Sequence, residues 1–439
     1  LTTSSSNSTT TTVVTTLATV VLVRAAWNNV PEWASIRPTA SNGAHDIDEM
    51  NPSVILQKIK DVYSLAYELT DDLVPDGMTW YKLYRSFRST IDLMKGIDRK
   101  HPEWRERYFS QDNTNTSIYN ETSIKSAEVE TLVEYLDYSD LAYNLNTAQV
   151  KAALRPKGYK LIRHDTTTQT GRAGHFLAVQ YQTKEVLLGI RGTSTFYDIL
   201  TDIIGKPIAH SDYKKGLKCH EGIFMAAKMM FEDTRHLLEN CFQDYKVTIC
   251  GHSLGAGVST ILGILLKEHL PEIDLQVYAF ATPPCCSRDA SLACQSYITS
   301  VVNNNDCVPR MSLSNLRTMH KLFSLVDRRT EHKVARRKHI DSDQPLLSAD
   351  ELEDFLQTEF KKDDNDEKVG EIELYVPGKV VSIWNNTQNP ATVGSRITTG
   401  LGQAFRQLFV EPSMLSDHAS NRYRQNLLNL WNQTSRTFQ

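Results

Sequence analysis

Gly251-His252-Ser253-Leu254-Gly255 lies between an apolar run with strand character, Lys246-Val247-Thr248-Ile249-Cys250, and a run with helix character over residues 256–266. No other feature constrains the chain as tightly. A serine held in the turn from a strand into a helix takes up strained backbone geometry. Glycine on either side removes the Cβ atoms that would collide with the neighbouring strand and helix. The Ser253 hydroxyl is then held in the open above a sheet edge, the arrangement called a nucleophile elbow.

The flanking sequence predicts the sheet that such a turn needs. Residues 176–182 and 185–190 are β-type runs joined at Thr183-Lys184, and the second leads into Arg191-Gly192-Thr193-Ser194-Thr195. Residues 275–281 and 297–302 are further strands, each preceded by a helix or an irregular stretch. Strands alternating with helices predict an α/β class with a mostly parallel central sheet. At 439 residues the chain has room for one such domain of roughly 200 to 300 residues and an additional region.

That additional region precedes the domain. Residues 1–50 read as a low-complexity, irregular tail, with a Ser/Thr tract over 2–12 and an apolar run over 13–23 interrupted by Thr15, Thr16 and Thr19. The run is shorter than the ~20 residues of a spanning helix and reads as a strand or tail fragment. Residues 51–122 form an N-terminal helical region, in which Ile55, Leu56, Ile59, Val62, Tyr63 and Ala66 recur at helical spacing. The chain opens at Leu1 rather than Met, so an upstream piece is expected.

The catalytic domain is expected over 123–439, opening with an amphipathic helix at 123–144. Residues 325–370 carry a basic run (Arg328, Arg329, Lys333, Arg336, Arg337, Lys338) and then an acidic one. They read as a solvated surface insertion, with a regulatory or headgroup-contacting loop as the alternative. A strand pair is expected at 371–383 around Pro377-Gly378, and a last helix at 421–431.

Composition excludes some partners. A formal net charge of −4, without a basic motif interleaved with aromatics, gives no footprint for nucleic acid. The seven cysteines lack metal-ligand spacing and read as reduced thiols rather than a disulfide frame.

A serine hydroxyl needs a base within hydrogen-bond reach, and the base needs an acid to set its tautomer. On a strand–turn–helix scaffold the partners follow in the order Ser, Asp, His, at the carboxyl ends of later strands. Asp306, in Asn303-Asn304-Asn305-Asp306-Cys307-Val308-Pro309, follows the strand ending near Val302 and is the expected acid, with an Asx-turn role as its alternative. Of the later histidines, His332 and His339 lie in the charged run and His320 in an amphipathic stretch. His418, in Ser416-Asp417-His418 before the final helix, is the expected base. The Leu254 amide at the helix start is one oxyanion donor, and Thr193 after the strand ending at Ile190 is the other, through its amide or hydroxyl.

Together these segments resemble the class 3 (fungal-type) lipases: Arg-Gly-Thr at 191–193, His-Glu-Gly-Ile-Phe at 220–224, Gly-His-Ser-Leu-Gly at 251–255, Asp-Cys-Val-Pro at 306–309 and Asp-His at 417–418. Within that family the chain looks most like the sn-1-specific diacylglycerol lipases, through Tyr278-Ala279-Phe280-Ala281-Thr282-Pro283-Pro284-Cys285, Asn305-Asp306-Cys307-Val308-Pro309-Arg310 and Tyr375-Val376-Pro377-Gly378. The resemblance implies an α/β-hydrolase fold, a Ser253-Asp306-His418 triad, an oxyanion hole at Thr193 and Leu254, and a lid within residues 195–218. It implies a regulatory role for the insertion between acid and base. It also implies a glycerolipid substrate met at a membrane or lipid-droplet surface, and an intracellular, membrane-associated location. No cofactor is called for, and a calcium requirement is left open. Phospholipid, galactolipid and triacylglycerol esters stay open as substrates. So do a lipase-like module that binds without turnover and a hydrolase of peptides or thioesters.

Overall fold

Alternation along the strands decides what each face buries. In residues 185–190, Val186, Leu188 and Ile190 join one apolar cluster and Leu187 joins another, as a two-residue side-chain period requires. The computed structural model describes residues 124–167, 172–192, 207–210, 217–334, 373–385, 393–398 and 413–436, with helical positions 86, 89, 90, 93, 351, 352, 354, 355 and 358. The tail over 1–50, and all of 51–122 except those first four positions, lie outside the described residues.

In chain order the elements are α1 (Ser126–Leu141), α2 (Thr147–Leu154), β1 (Lys160–Asp165), β2 (His175–Gln180), β3 (Glu185–Ile190), β4 (Pro207–His210), β5 (Leu217–His220), α3 (Glu221–Cys241), β6 (Lys246–His252), α4 (Leu254–His269), β7 (Leu275–Phe280), α5 (Arg288–Ala293), β8 (Ile298–Asn303), α6 (Leu313–Val334), β9 (Lys379–Asn385), β10 (Val393–Thr398), α7 (Ser413–Ser416) and α8 (Ser420–Arg436). Eight strands form one sheet in the order β1-β2-β3-β6-β7-β8-β9-β10, and β4 with β5 forms a separate hairpin. β1, β2 and β3 pair antiparallel. β3, β6, β7, β8 and β9 run parallel, and β10 closes the far edge antiparallel. This is the mostly parallel α/β-hydrolase sheet that the sequence predicts.

Two apolar layers hold the sheet. α3 and α4 bring Ile223, Phe224, Met230, Ile261, Leu262 and Leu265 against Val186, Leu188, Val247, Ile249 and Val277. On the opposite face α1 and α8 bring Val129, Leu132, Leu136, Tyr423, Leu427 and Leu430 against Phe176, Leu187, Cys250, Phe280 and Val301. Each fully buried aliphatic side chain contributes about 1.5–3 kcal/mol, so the central strands are rigid mounts for the loops that leave them. The pairings Ile190↔Gly251, His252↔Phe280 and Phe280↔Val301 bring the carboxyl ends of β3, β6, β7 and β8 to one edge. Loops from that edge are where such sheets place their chemistry.

Two expectations need correction. Among the described residues 373–383 there is no strand pair around Pro377-Gly378; β9 is a single strand there, and its antiparallel partner is β10. The carbonyls that a local hairpin would use are taken elsewhere. Val376 O accepts from Ser291 Oγ at 2.8 Å and Pro377 O from Ser300 Oγ at 2.7 Å, while Tyr375 pairs with Cys286. The charged segment 325–370 is not all solvated surface either. Its first residues continue α6, where Val326 and Asp327 are buried, and Leu352 is buried further on.

Candidate active site

Ser253 has φ 61° and ψ −129°, a conformation that costs a non-glycine residue about 1–3 kcal/mol. The fold holds it there. The Ser253 N–H donates to Phe280 O of β7 at 2.9 Å, and α4 begins at the next residue. Close approach enforces the rest: a Cβ on Gly255 would lie 2.4 Å from the Ile190 carbonyl oxygen, so only glycine lets α4 seat against the end of β3.

The structure brings Ser253, Asp306 and His418 together from three separate loops. His418 Nε2 lies 3.0 Å from Ser253 Oγ, and His418 Nδ1 lies 3.0 and 3.1 Å from the two carboxylate oxygens of Asp306. In the consistent tautomer, Nδ1–H donates to Asp306 and Nε2 accepts the serine proton. Asp306 is fully buried, and it also accepts from Tyr423 Oη at 2.6 Å and from the Val308 amide at 2.9 Å. Burial alone would push its carboxyl up. The charge of His418 and the hydrogen bonds from His418, Tyr423 and Val308 outweigh burial and hold it below the usual carboxylate range. The Val308 contact is the Asx-turn bond foreseen as the alternative role, so Asp306 makes both interactions.

Leu254 is the first residue of α4, where amides have no intrahelical acceptor. Thr193 lies outside the described residues, as do 195–206 and 211–216 of the expected lid; within that span only β4 and the start of β5 are described. Arg191 and Gly192 are described and run alongside the Ser253 turn. His320 and His332 lie on α6, and His339 lies outside the described residues.

Several residues that support this arrangement carry no signal in the sequence. His252 packs its ring 4.9 Å from that of His418 and donates Nε2–H to His418 O at 2.9 Å. Burial, then the neighbouring His418 charge, lowers His252 to about 3, so it stays a neutral brace. The loops carrying acid and base are also knotted to each other. Asn303 Nδ2 donates to Asp417 O at 3.0 Å, and the Asp417 carboxylate accepts from Asn304 Nδ2 at 3.2 Å and the Asn305 amide at 3.3 Å. Burial pushes Asp417 up to about 6 despite these bonds. From behind, Asn426 Nδ2 donates to Asn303 Oδ1 at 2.7 Å and Asn304 Nδ2 to Asn385 Oδ1 at 2.7 Å. The spacing of Tyr423, Leu427 and Leu430 marks a buried helix face, but not that the Tyr423 hydroxyl finds a carboxylate.

A serine on a strained strand–helix turn, an imidazole on its hydroxyl and a buried carboxylate behind the imidazole define the geometry of a serine hydrolase on an α/β-hydrolase sheet. Residues 187–316 match the family model described as lipase (class 3). It is 26% identical over 285 residues to diacylglycerol lipase-alpha of Mus musculus, a match covering 58% of this chain and 27% of that protein. It is 25% identical over 156 residues to diacylglycerol lipase-beta of Mus musculus, covering 33% of this chain and 23% of that one. The chain thus spans about a quarter of the length of these relatives. Among solved structures, the crystal structure of lipase from Rhizopus microsporus var. chinensis aligns with a TM-score of 0.44 at 18% identity, covering 70% of this chain and 90% of that one.

Proposed function

We propose that this protein is a serine lipase that hydrolyses an acyl ester of a glycerolipid, with the sn-1 ester of diacylglycerol as its substrate. The observation that carries the reading is the unbroken path from Ser253 Oγ through His418 to a buried, hydrogen-bonded Asp306. Within it, Ser253 Oγ attacks the ester carbonyl carbon while His418 Nε2 takes the hydroxyl proton, and Asp306 stabilises the imidazolium. Collapse of the tetrahedral intermediate breaks the bond to the glycerol oxygen, which leaves with the proton from His418. Water then attacks the acyl-enzyme by the same route and releases the fatty acid. The Leu254 amide and Thr193 are the proposed donors to the oxyanion, and no cofactor enters the cycle.

The relatives named diacylglycerol lipase and the matched class 3 lipase segment support the substrate class. The reaction is placed at a lipid surface inside the cell, a reading supported by seven free cysteines, six of them buried. Among the described residues no helix is long and apolar enough to cross a membrane.

The test is a diacylglycerol with different chains at sn-1 and sn-2, offered to the protein and to Ser253→Ala, with the released acid identified by mass spectrometry. Release of the sn-1 acid by wild type is expected, with a loss on the order of 10⁶-fold in the variant. Equal release by both would assign the chemistry to another residue. Release from a phospholipid, galactolipid or triacylglycerol instead would retain the mechanism and move the substrate.

A further inference from the structure

The turn that ends α1 lies outside residues 187–316, yet it reaches the parts of the site that come from β3 and β6. Tyr143, two residues past α1, donates its hydroxyl to the carbonyl of His252 at 3.2 Å, and the same oxygen packs against Gly192. His252 immediately precedes Ser253, and Gly192 immediately precedes Thr193. The three groups meet with no room to spare. A Cβ on Gly192 would lie 2.6 Å from Tyr143 Oη and 2.7 Å from His252 O. The Arg191 guanidinium stands 5.8 Å from the centre of the Tyr143 ring, which gives the ring a second hold on the same loop. Three residues earlier, Asp140 accepts a hydrogen bond from Ser420, two residues beyond His418.

We propose that Tyr143 is a positioning residue: one hydroxyl locks the first residues after β3 against the Ser253 turn, so that an oxyanion donor from that loop and the attacking oxygen keep a constant separation. The physical need is plain. An oxyanion hole works because its donors are already placed where negative charge develops and do not reorganise during the reaction. One donor here belongs to the start of α4, and the other belongs to a loop leaving a different strand. Between the two, β3 and β6 pair only as far as Ile190↔Gly251. Beyond that pairing, Tyr143 takes over from the ladder. It packs on one chain and donates to the other. Losing the hydroxyl leaves the buried His252 C=O without this partner, opens a gap beside Gly192 and lets the loop drift from the turn.

This inference rests on the reading of Ser253 as nucleophile and of the loop after β3 as oxyanion donor, and its test separates the two. Wild type, Tyr143→Phe and Ser253→Ala are compared as full chains with p-nitrophenyl butyrate, a soluble ester that removes lipid-surface effects. A fluorophosphonate titrates the competent sites, so rates are counted per site and unfolded protein drops out. An alkyl trifluoromethyl ketone, which adds to the serine as a tetrahedral adduct, reports affinity for the oxyanion state.

The expected result for Tyr143→Phe is a kcat per titrated site lowered about 10- to 100-fold, short of deleting an oxyanion donor outright, because misplacement rather than loss is at issue. KM should change by less than about 2-fold, and Ki for the ketone should rise by the factor by which kcat/KM falls. A purely structural role would lower the melting temperature and the titre but leave Ki per site unchanged, and that result overturns the proposal. So does a per-site kcat equal to wild type. If Tyr143→Phe yields no titratable sites, 4-aminophenylalanine at position 143 keeps the contact and weakens the donor. It must raise Ki in the same direction, and an unchanged Ki overturns the proposal. Turnover by Ser253→Ala at the wild-type rate would instead remove the underlying reading, and the proposal with it.

Discussion

Replacing Tyr423 by Phe removes one hydroxyl and leaves the ring packed in the α8 layer. That hydroxyl donates to Asp306 Oδ2 at 2.6 Å, and both residues are fully buried. A hydrogen bond to a charged group is worth about 1.5–3 kcal/mol, and without it a buried carboxylate oxygen keeps one partner fewer. The same bond favours the charged carboxylate, so its loss raises the proton affinity of the carboxyl. Asp306 is held below the usual range in the folded protein, so its contribution is present above its unfolded pKa of about 3.9 and is lost as pH falls through the folded value. The variant should therefore be less stable near neutral pH by about 1.5–3 kcal/mol, a drop of roughly 3–10 °C in melting temperature. The deficit should shrink on acidification below about pH 4, where the carboxyl is protonated in the unfolded state. Catalysis should respond differently. The alkaline plateau of kcat/KM should fall less than about 10-fold, because the Val308 amide and His418 Nδ1 still orient the carboxylate. Calorimetry against pH and p-nitrophenyl ester hydrolysis across about pH 4–9 measure both effects. A melting deficit of equal size at acidic and neutral pH would attribute the change to packing alone. Unchanged stability at neutral pH would refute the reasoning entirely.

Asp417 has the opposite sign. Its carboxyl is raised to about 6, so folding favours its protonated form, and the stability it contributes is present below about pH 3.9 and lost as pH rises through 6. Relative to wild type, Asp417→Asn should gain up to about 3 kcal/mol between pH 4 and pH 7 by denaturant unfolding, and a pH-independent difference would contradict this. Deleting residues 325–370 removes buried Val326 and Leu352. Two such side chains contribute about 3–6 kcal/mol, so the melting temperature should fall; an unchanged value would show the segment to be dispensable to the core.

The α/β class, the central strands and the Ser253 turn were legible in the sequence because they rest on local chemistry. A two-residue apolar period marks each strand, and glycines flanking a serine mark a turn that few other residues can make. The order of Ser253, Asp306 and His418 along the chain was legible for a related reason: each follows a strand or precedes a helix that local pattern can locate. Tertiary structure alone decided what lies behind them. The Asp306 carboxylate meets a tyrosine 117 residues away, Tyr143 meets His252 across 109, and Asn303 meets Asn426 across 123. No local pattern reports such pairs, because a buried hydroxyl or amide is satisfied by whichever chain segment the sheet order brings to it. The same reason accounts for the missed partner of β9, since strand pairing depends on which carbonyls remain free once Ser291 and Ser300 have taken theirs.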